Sequence, residues 1–126
     1  MLRVAICDDS RMDVERLESA LERLEHYHIQ WDVFYSGEEL IEYKNKCEKD
    51  YDLYIFDVEM PGMNGIKTLE IIREKQETTN LAAMFLSADE TVTTKEAAER
   101  LGALAFIKKP FMPQDLLDNV AKVFAE

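Results

Sequence analysis

The stretch YDLYIFDVEMPGMNG, residues 51–65, joins an apolar and aromatic run to a carboxylate, Asp57, and then to a loop holding Pro61, Gly62 and Gly65. The run is strand-length and almost continuously apolar, as a strand covered on both faces of a parallel sheet requires. A charge at the end of such a strand is costly and calls for a chemical reason. Outward from it, LRVAIC (2–7), WDVFY (31–35), LAAMFLS (81–87) and ALAFI (103–107) read as four further strands. Between the strands the period becomes helical. Val14, Leu17, Leu21 and Leu24 line the first helix, with Ser10 and Asp13 suited to its N-terminal cap. Ile66, Leu69 and Ile72 line the third, and Leu116, Val120 and Val123 the last, which Pro113 opens at its first turn. The fourth helix, about 92–101 before Gly102, has only Val92, Ala97, Ala98 and Leu101 to bury, so weak docking and ready movement are expected. Five strands alternating with five helices imply right-handed crossovers and a doubly wound α/β sheet.

Composition narrows the function. At 126 residues the chain is expected to be one domain, 1–126, either a complete small protein or one domain of a longer one. Hydrophobic residues at 47% and charged residues at 33% match a soluble globular protein. A net charge of -11 repels phosphate backbones and anionic lipid, which argues against direct nucleic-acid or membrane binding. The N-terminus MLRVAICDD lacks the basic start and long apolar stretch of a signal peptide, which argues for the cytoplasm. Cys7 reads as a buried small hydrophobe and Cys47 as a surface thiol in a charged helix, not as a disulfide framework. Met60, Met63, Met84 and Met112 read as packing and loop anchors, and His26 and His28 as solvated residues at a helix end with no phosphorelay or metal role.

In an open parallel sheet, function collects beyond the carboxyl ends of the strands. Here the first strand ends in Asp8 and Asp9, the third in Asp57 and the fourth in Ser87; the fifth runs through Phe106 into Lys108, Lys109 and Pro110. If these strands are neighbours, the groups meet on one rim. Carboxylates about 5 Å apart repel by roughly 3 kcal/mol per pair at an effective dielectric near 20. One lysine leaves two negative charges uncompensated, and a hard divalent ion, Mg2+ above all, supplies the balance. Such an ion lets a phosphoryl group approach a carboxylate, so Asp57 reads as a nucleophile or acceptor. Ser87 can then donate to one phosphoryl oxygen and Lys109 pair with another.

The set CDDS, YIFDVEMPGMNG, FLSADE and FIKKPF resembles the receiver domain of two-component response regulators over essentially the whole chain. The resemblance implies a CheY-like, flavodoxin-like sheet in the order 2-1-3-4-5 and a phosphoacceptor at Asp57. It implies Mg2+ held by Asp9, Asp57 and the backbone carbonyl of Glu59, with Asp8 helping through water. Ser87 and Lys109 would contact the phosphoryl group, and the Lys109–Pro110 bond would be cis; Lys108 is a solvated neighbour. Ser87 and Phe106 fall on the switch positions, although Phe106 lacks the hydroxyl of the tyrosine common there. Glu59 and Asp89 flank the route of a hydrolytic water and are expected to tune the lifetime of the phosphorylated form. The implied partners are a sensor histidine kinase or histidine phosphotransfer protein as donor and a downstream protein or attached output domain as reader. The reading face comprises the fourth helix, fifth strand and fifth helix, and a phosphorylation-dependent homodimer is compatible with this reading. The DVEMPGMNG loop with YSGEEL upstream resembles receivers joined to LytTR-type DNA-binding domains.

Other functions fit less well. A haloacid dehalogenase-type phosphatase also uses a strand-end aspartate and Mg2+, but it needs a second aspartate where this chain has Glu59. A flavin mononucleotide binder needs a hydroxyl- and glycine-rich loop after the first strand, where DDS repels an anion. A receiver-like module that interacts without phosphorylation is disfavoured by the presence of every acidic and basic site residue. The chain is thus expected to be no enzyme beyond self-phosphorylation and autodephosphorylation.

Overall fold

Period-two and 3.6-period segments alternate through β1 (Leu2–Cys7), α1 (Arg11–Glu22), β2 (Ile29–Phe34), α2 (Gly37–Lys46), β3 (Leu53–Asp57), α3 (Gly65–Lys75), β4 (Ala82–Ser87), α4 (Val92–Arg100), β5 (Ala105–Lys108) and α5 (Pro113–Phe124). The computed structural model describes residues 2–24, 27–47, 50–75, 82–89 and 91–124. The readings for His26, for Leu81 at the start of a strand and for Glu90 within FLSADE fall outside those residues. Every strand pair is parallel, in the order β2-β1-β3-β4-β5, the doubly wound topology expected. The winding direction reverses between β1 and β3, which opens a crevice beyond their carboxyl ends.

Side-chain alternation divides the core in two. Val4, Ile6, Leu53, Ile55, Met84, Leu86 and Ile107 face α1 and α5, meeting Val14, Leu17, Leu21, Leu116 and Val120. Ala5, Cys7, Tyr54, Phe56, Ala83 and Phe85 face the opposite way, against Leu40, Ile66, Leu69, Ile72 and Ala98. Asp57 and Lys109, each two residues beyond an α1/α5-facing isoleucine, continue that parity, and so does Asp8 after Ile6. Ser87 follows Phe85 onto the α2–α4 side.

Local chemistry sets the helix ends. Ser10 accepts from the Asp13 N–H at 3.2 Å to start α1, and Asn64 accepts from the Lys67 N–H at 2.8 Å to start α3. At α5 the backbone carbonyl of Met112 accepts from the Asp115 N–H at 3.0 Å just beyond Pro113. The Met112 side chain is 67% exposed, so the packing role expected for it does not hold; Met60 and Met84 are buried. Cys47 lies one residue past α2 in extended backbone rather than within the helix. α4 buries less than its sequence promised: Val92 is 69% exposed at the first helical position, and Ala98 is its one buried residue. Among the described residues no helix is long and apolar enough to cross a membrane.

Candidate functional site

β1 and β3 are hydrogen-bonded neighbours, with Cys7 opposite Phe56, so the carboxylates that follow these two residues lie side by side. One carboxylate oxygen each from Asp8, Asp9 and Asp57 falls within 4.8 Å of the others. Asp8 and Asp57 are buried and Asp9 is exposed, which leaves the cluster one face open to solvent. Asp8 is held from behind by the Ser10 N–H at 2.9 Å. Gly65 lets the loop after β3 return beneath Asp57: its N–H bonds the Val58 carbonyl at 3.0 Å, and a Cβ there would collide with the Asp57 carbonyl oxygen.

Lys109 enters from the end of β5. Its backbone N–H bonds the Ser87 carbonyl at 2.8 Å, and its peptide bond to Pro110 is cis. Its ammonium lies 2.8 Å from Asp13 Oδ2, 3.1 Å from Asp8 Oδ2 and 3.2 Å from Asp57 Oδ1. Burial and then the charge of Asp8 push the Asp57 carboxyl up to about 8, against a smaller opposing effect of Lys109. Burial likewise raises Asp8. Burial alone would lower Lys109, but the Asp13 hydrogen bond and the charges of Asp8 and Asp57 prevail and hold it above the ordinary lysine value. The donor set fits a hard divalent cation: three oxygens are within reach, one side is open at Asp9, and burial makes two of the carboxyls ionise reluctantly despite Lys109, which further positive charge would relieve.

Ser87 is fully buried on the other side of the sheet edge. Its hydroxyl donates to Glu59 Oε1 at 2.5 Å, and the Asp89 N–H donates to the same oxygen at 2.8 Å. The Asp89 carboxylate accepts from the Thr91 N–H at 2.9 Å, and Thr91 caps α4. A continuous chain thus runs from the loop after Asp57 into the first turn of α4. Phe106, partly buried opposite Phe85 in the sheet register, packs on the same side of the core as Ala97 of α4 and Leu101 at its C-terminal cap. Lys108 and His28 are exposed.

Two features escaped sequence reading. Asp13 looked like a helix cap, yet its carboxylate reaches Lys109, 96 residues along the chain. The signal was its place on the first turn after CDD, on the helix that covers the Asp57 face of the sheet. The Glu59 side chain sits on Ser87, although its sequence position marked only its carbonyl and the water route.

A family model described as the response regulator receiver domain matches residues 4–121. The sensory/regulatory protein RpfC of Xanthomonas campestris pv. campestris is 33% identical over 122 residues, which are 95% of this chain but 16% of RpfC. Protein PilH of Pseudomonas aeruginosa is 27% identical over 99% of both chains. Among solved structures, the CheX-CheY-BeF3-Mg+2 complex from Borrelia burgdorferi superposes with a TM-score of 0.82 at 31% identity, covering 99% of this chain and 90% of that one. A putative response regulator from Chloroflexus aurantiacus gives 0.83 at 29% identity over 99% and 98%.

Proposed function

The chain belongs to the response regulator receiver domain family, the phosphorylation-dependent switch of two-component signalling, and on that premise we propose that Asp57 is its phosphoacceptor. The observation that carries this reading is a buried strand-end carboxylate inside a three-aspartate cluster and 3.2 Å from a lysine ammonium. The donor is a phosphohistidine of a sensor kinase or phosphotransfer protein. The Asp57 oxygen attacks phosphorus, the P–N bond breaks as the O–P bond forms, and the imidazole leaves. Asp9, Asp57 and the Glu59 backbone carbonyl, with Asp8 assisting, would hold Mg2+, which would supply the positive charge that lets two anions meet. The metal named for the Borrelia complex supports that choice. The Asp57 carboxyl, pushed up to about 8 chiefly by burial, would ionise more readily with that added positive charge beside it.

Lys109 pairs with a phosphoryl oxygen without leaving its place, whereas Ser87 must first give up Glu59. That exchange couples acceptor to output. Breaking the Glu59 contact releases Asp89 and the cap of α4, and the α4, β5 and α5 face, with Phe106 at its edge, changes its populations. A downstream protein, an attached output domain or a second phosphorylated copy reads that face. Residues 1–126 act as one receiver unit in the cytoplasm, binding neither nucleic acid nor membrane and turning over nothing beyond their own phosphoryl group. Glu59 and Asp89 set the lifetime of that group, and equal dephosphorylation rates in wild type and the Glu59→Ala/Asp89→Ala variant would exclude the role.

Intact mass after incubation with acetyl phosphate and Mg2+ tests the central reading. One added phosphoryl group is expected in the wild type, and none in Asp57→Asn or without metal. No adduct, together with no spectral response to beryllium fluoride, would make this an interaction module that works unphosphorylated.

A further inference from the structure

We propose that Asp13 is a positioning residue for phosphoryl transfer, the anchor that keeps the Lys109 ammonium beside Asp57 when the acidic cluster binds its divalent ion. The inference rests on the phosphoacceptor reading and adds a fourth carboxylate to it. Lys109 has three N–H donors and three carboxylate partners, and the contact to Asp13 is the shortest, 2.8 Å against 3.1 Å to Asp8 and 3.2 Å to Asp57.

Helix capping does not account for the Asp13 side chain. In a capping box the third helical residue would accept from the Ser10 N–H, but that N–H donates to Asp8 at 2.9 Å. The part of Asp13 used in the cap is its backbone N–H, bonded to Ser10 Oγ. Its carboxylate is left for Lys109 and, at 3.9 Å, for Arg16. The pairing with Lys109 is largely shielded, the two side chains being 15% and 19% exposed.

The three partners differ in what becomes of them. Asp8 and Asp57 belong to the metal-binding cluster, and Asp13 does not. When the cluster shares its negative charge with a divalent ion, the hold of Asp8 and Asp57 on Lys109 weakens, and the added positive charge repels the ammonium. Phosphorylation then converts the Asp57 carboxylate into an acyl phosphate. Asp13 alone keeps its full charge on the ammonium throughout. It stands on α1, which is packed against α5 over the same face of the sheet, so the anchor is rigid.

Asp13→Asn keeps the shape and removes the charge, and Asp13→Glu restores it. With acetyl phosphate as donor, the maximal phosphorylation rate of Asp13→Asn is expected to fall about tenfold, the scale of one charge-assisted hydrogen bond. Half-saturating Mg2+ should move far less, and Asp13→Glu should recover part of the rate. A second readout needs no phosphorylation: NMR of 13Cε-labelled lysine, with Lys109 assigned from Lys109→Gln. On Mg2+ titration the Lys109 resonance should stay displaced in the wild type and move toward the exposed lysines in Asp13→Asn. Identical Lys109 shifts in both proteins, or a variant that phosphorylates at the wild-type rate and only melts lower, would overturn the proposal. A wild type that takes up no phosphoryl group would count against Asp57 as acceptor, and the NMR comparison would still decide the role of Asp13.

Discussion

Asp57 is an ionisable group whose charge is disfavoured by burial and by Asp8 even with the Lys109 ammonium 3.2 Å away. Its carboxyl, ordinarily at 3.8, is pushed up to about 8 by burial first and Asp8 second, so the folded protein binds that proton more tightly than the unfolded chain does. The stability it contributes is complete below 3.8 and is lost as pH rises through 8. Metal-free wild type should therefore lose on the order of 2 kcal/mol relative to Asp57→Asn between pH 6 and pH 9. Thermal scans of the two proteins in chelator across that window check it; parallel curves would refute the assignment. Gly65 acts at the same scale. Gly65→Ala should destabilise by about 1–3 kcal/mol and slow phosphorylation, because the new Cβ must displace the Asp57 carbonyl that fixes the acceptor. Denaturant melts and the acetyl phosphate rate measure the two effects separately.

Among the elements, α4 and α5 show how burial governs mobility. α5 buries Leu116, Leu117 and Val120 against the sheet, whereas α4 buries Ala98 alone. Leu116→Ala should cost about 2–5 kcal/mol, and Val92→Ser no more than about 0.5 kcal/mol, by chemical denaturation. The little that fixes α4 includes the chain from Glu59 through Asp89 to Thr91. In Glu59→Ala, amide exchange in the first turn of α4 should accelerate by roughly fivefold while α5 is unchanged, as removal of about 1 kcal/mol of local restraint predicts. Uniform exchange in both helices would disconnect Glu59 from the switch.

At the scale of the whole molecule, a net charge of -11 and a cluster of three aspartates able to hold a metal ion predict that divalent cations stabilise the fold. Mg2+ at about 100 times its dissociation constant should add roughly 2.7 kcal/mol of stability. An equal ionic strength of NaCl should add less, and Asp9→Asn should lose most of the difference; melting curves in the two salts decide it. How much of this was legible beforehand follows from the range of the forces. Strand and helix periods, the cap at Ser10, the helix start at Pro113 and the reactive groups at strand ends are set by neighbours a few residues away, so LRVAICDD and YDLYIFD reveal themselves without a fold. The fourth helix was recognisably weak for the same reason, though the outward turn of Val92 was not, because one helical position points wherever docking leaves it. Asp13 beside Lys109 and Glu59 on Ser87 join residues 96 and 28 positions apart. A local pattern can place Asp13 on the first turn after CDD, but it does not name the distant partner. They exist because the order β2-β1-β3-β4-β5 sets Asp8 beside Asp57, and because alternation sends Lys109 toward α1 and Ser87 toward α4.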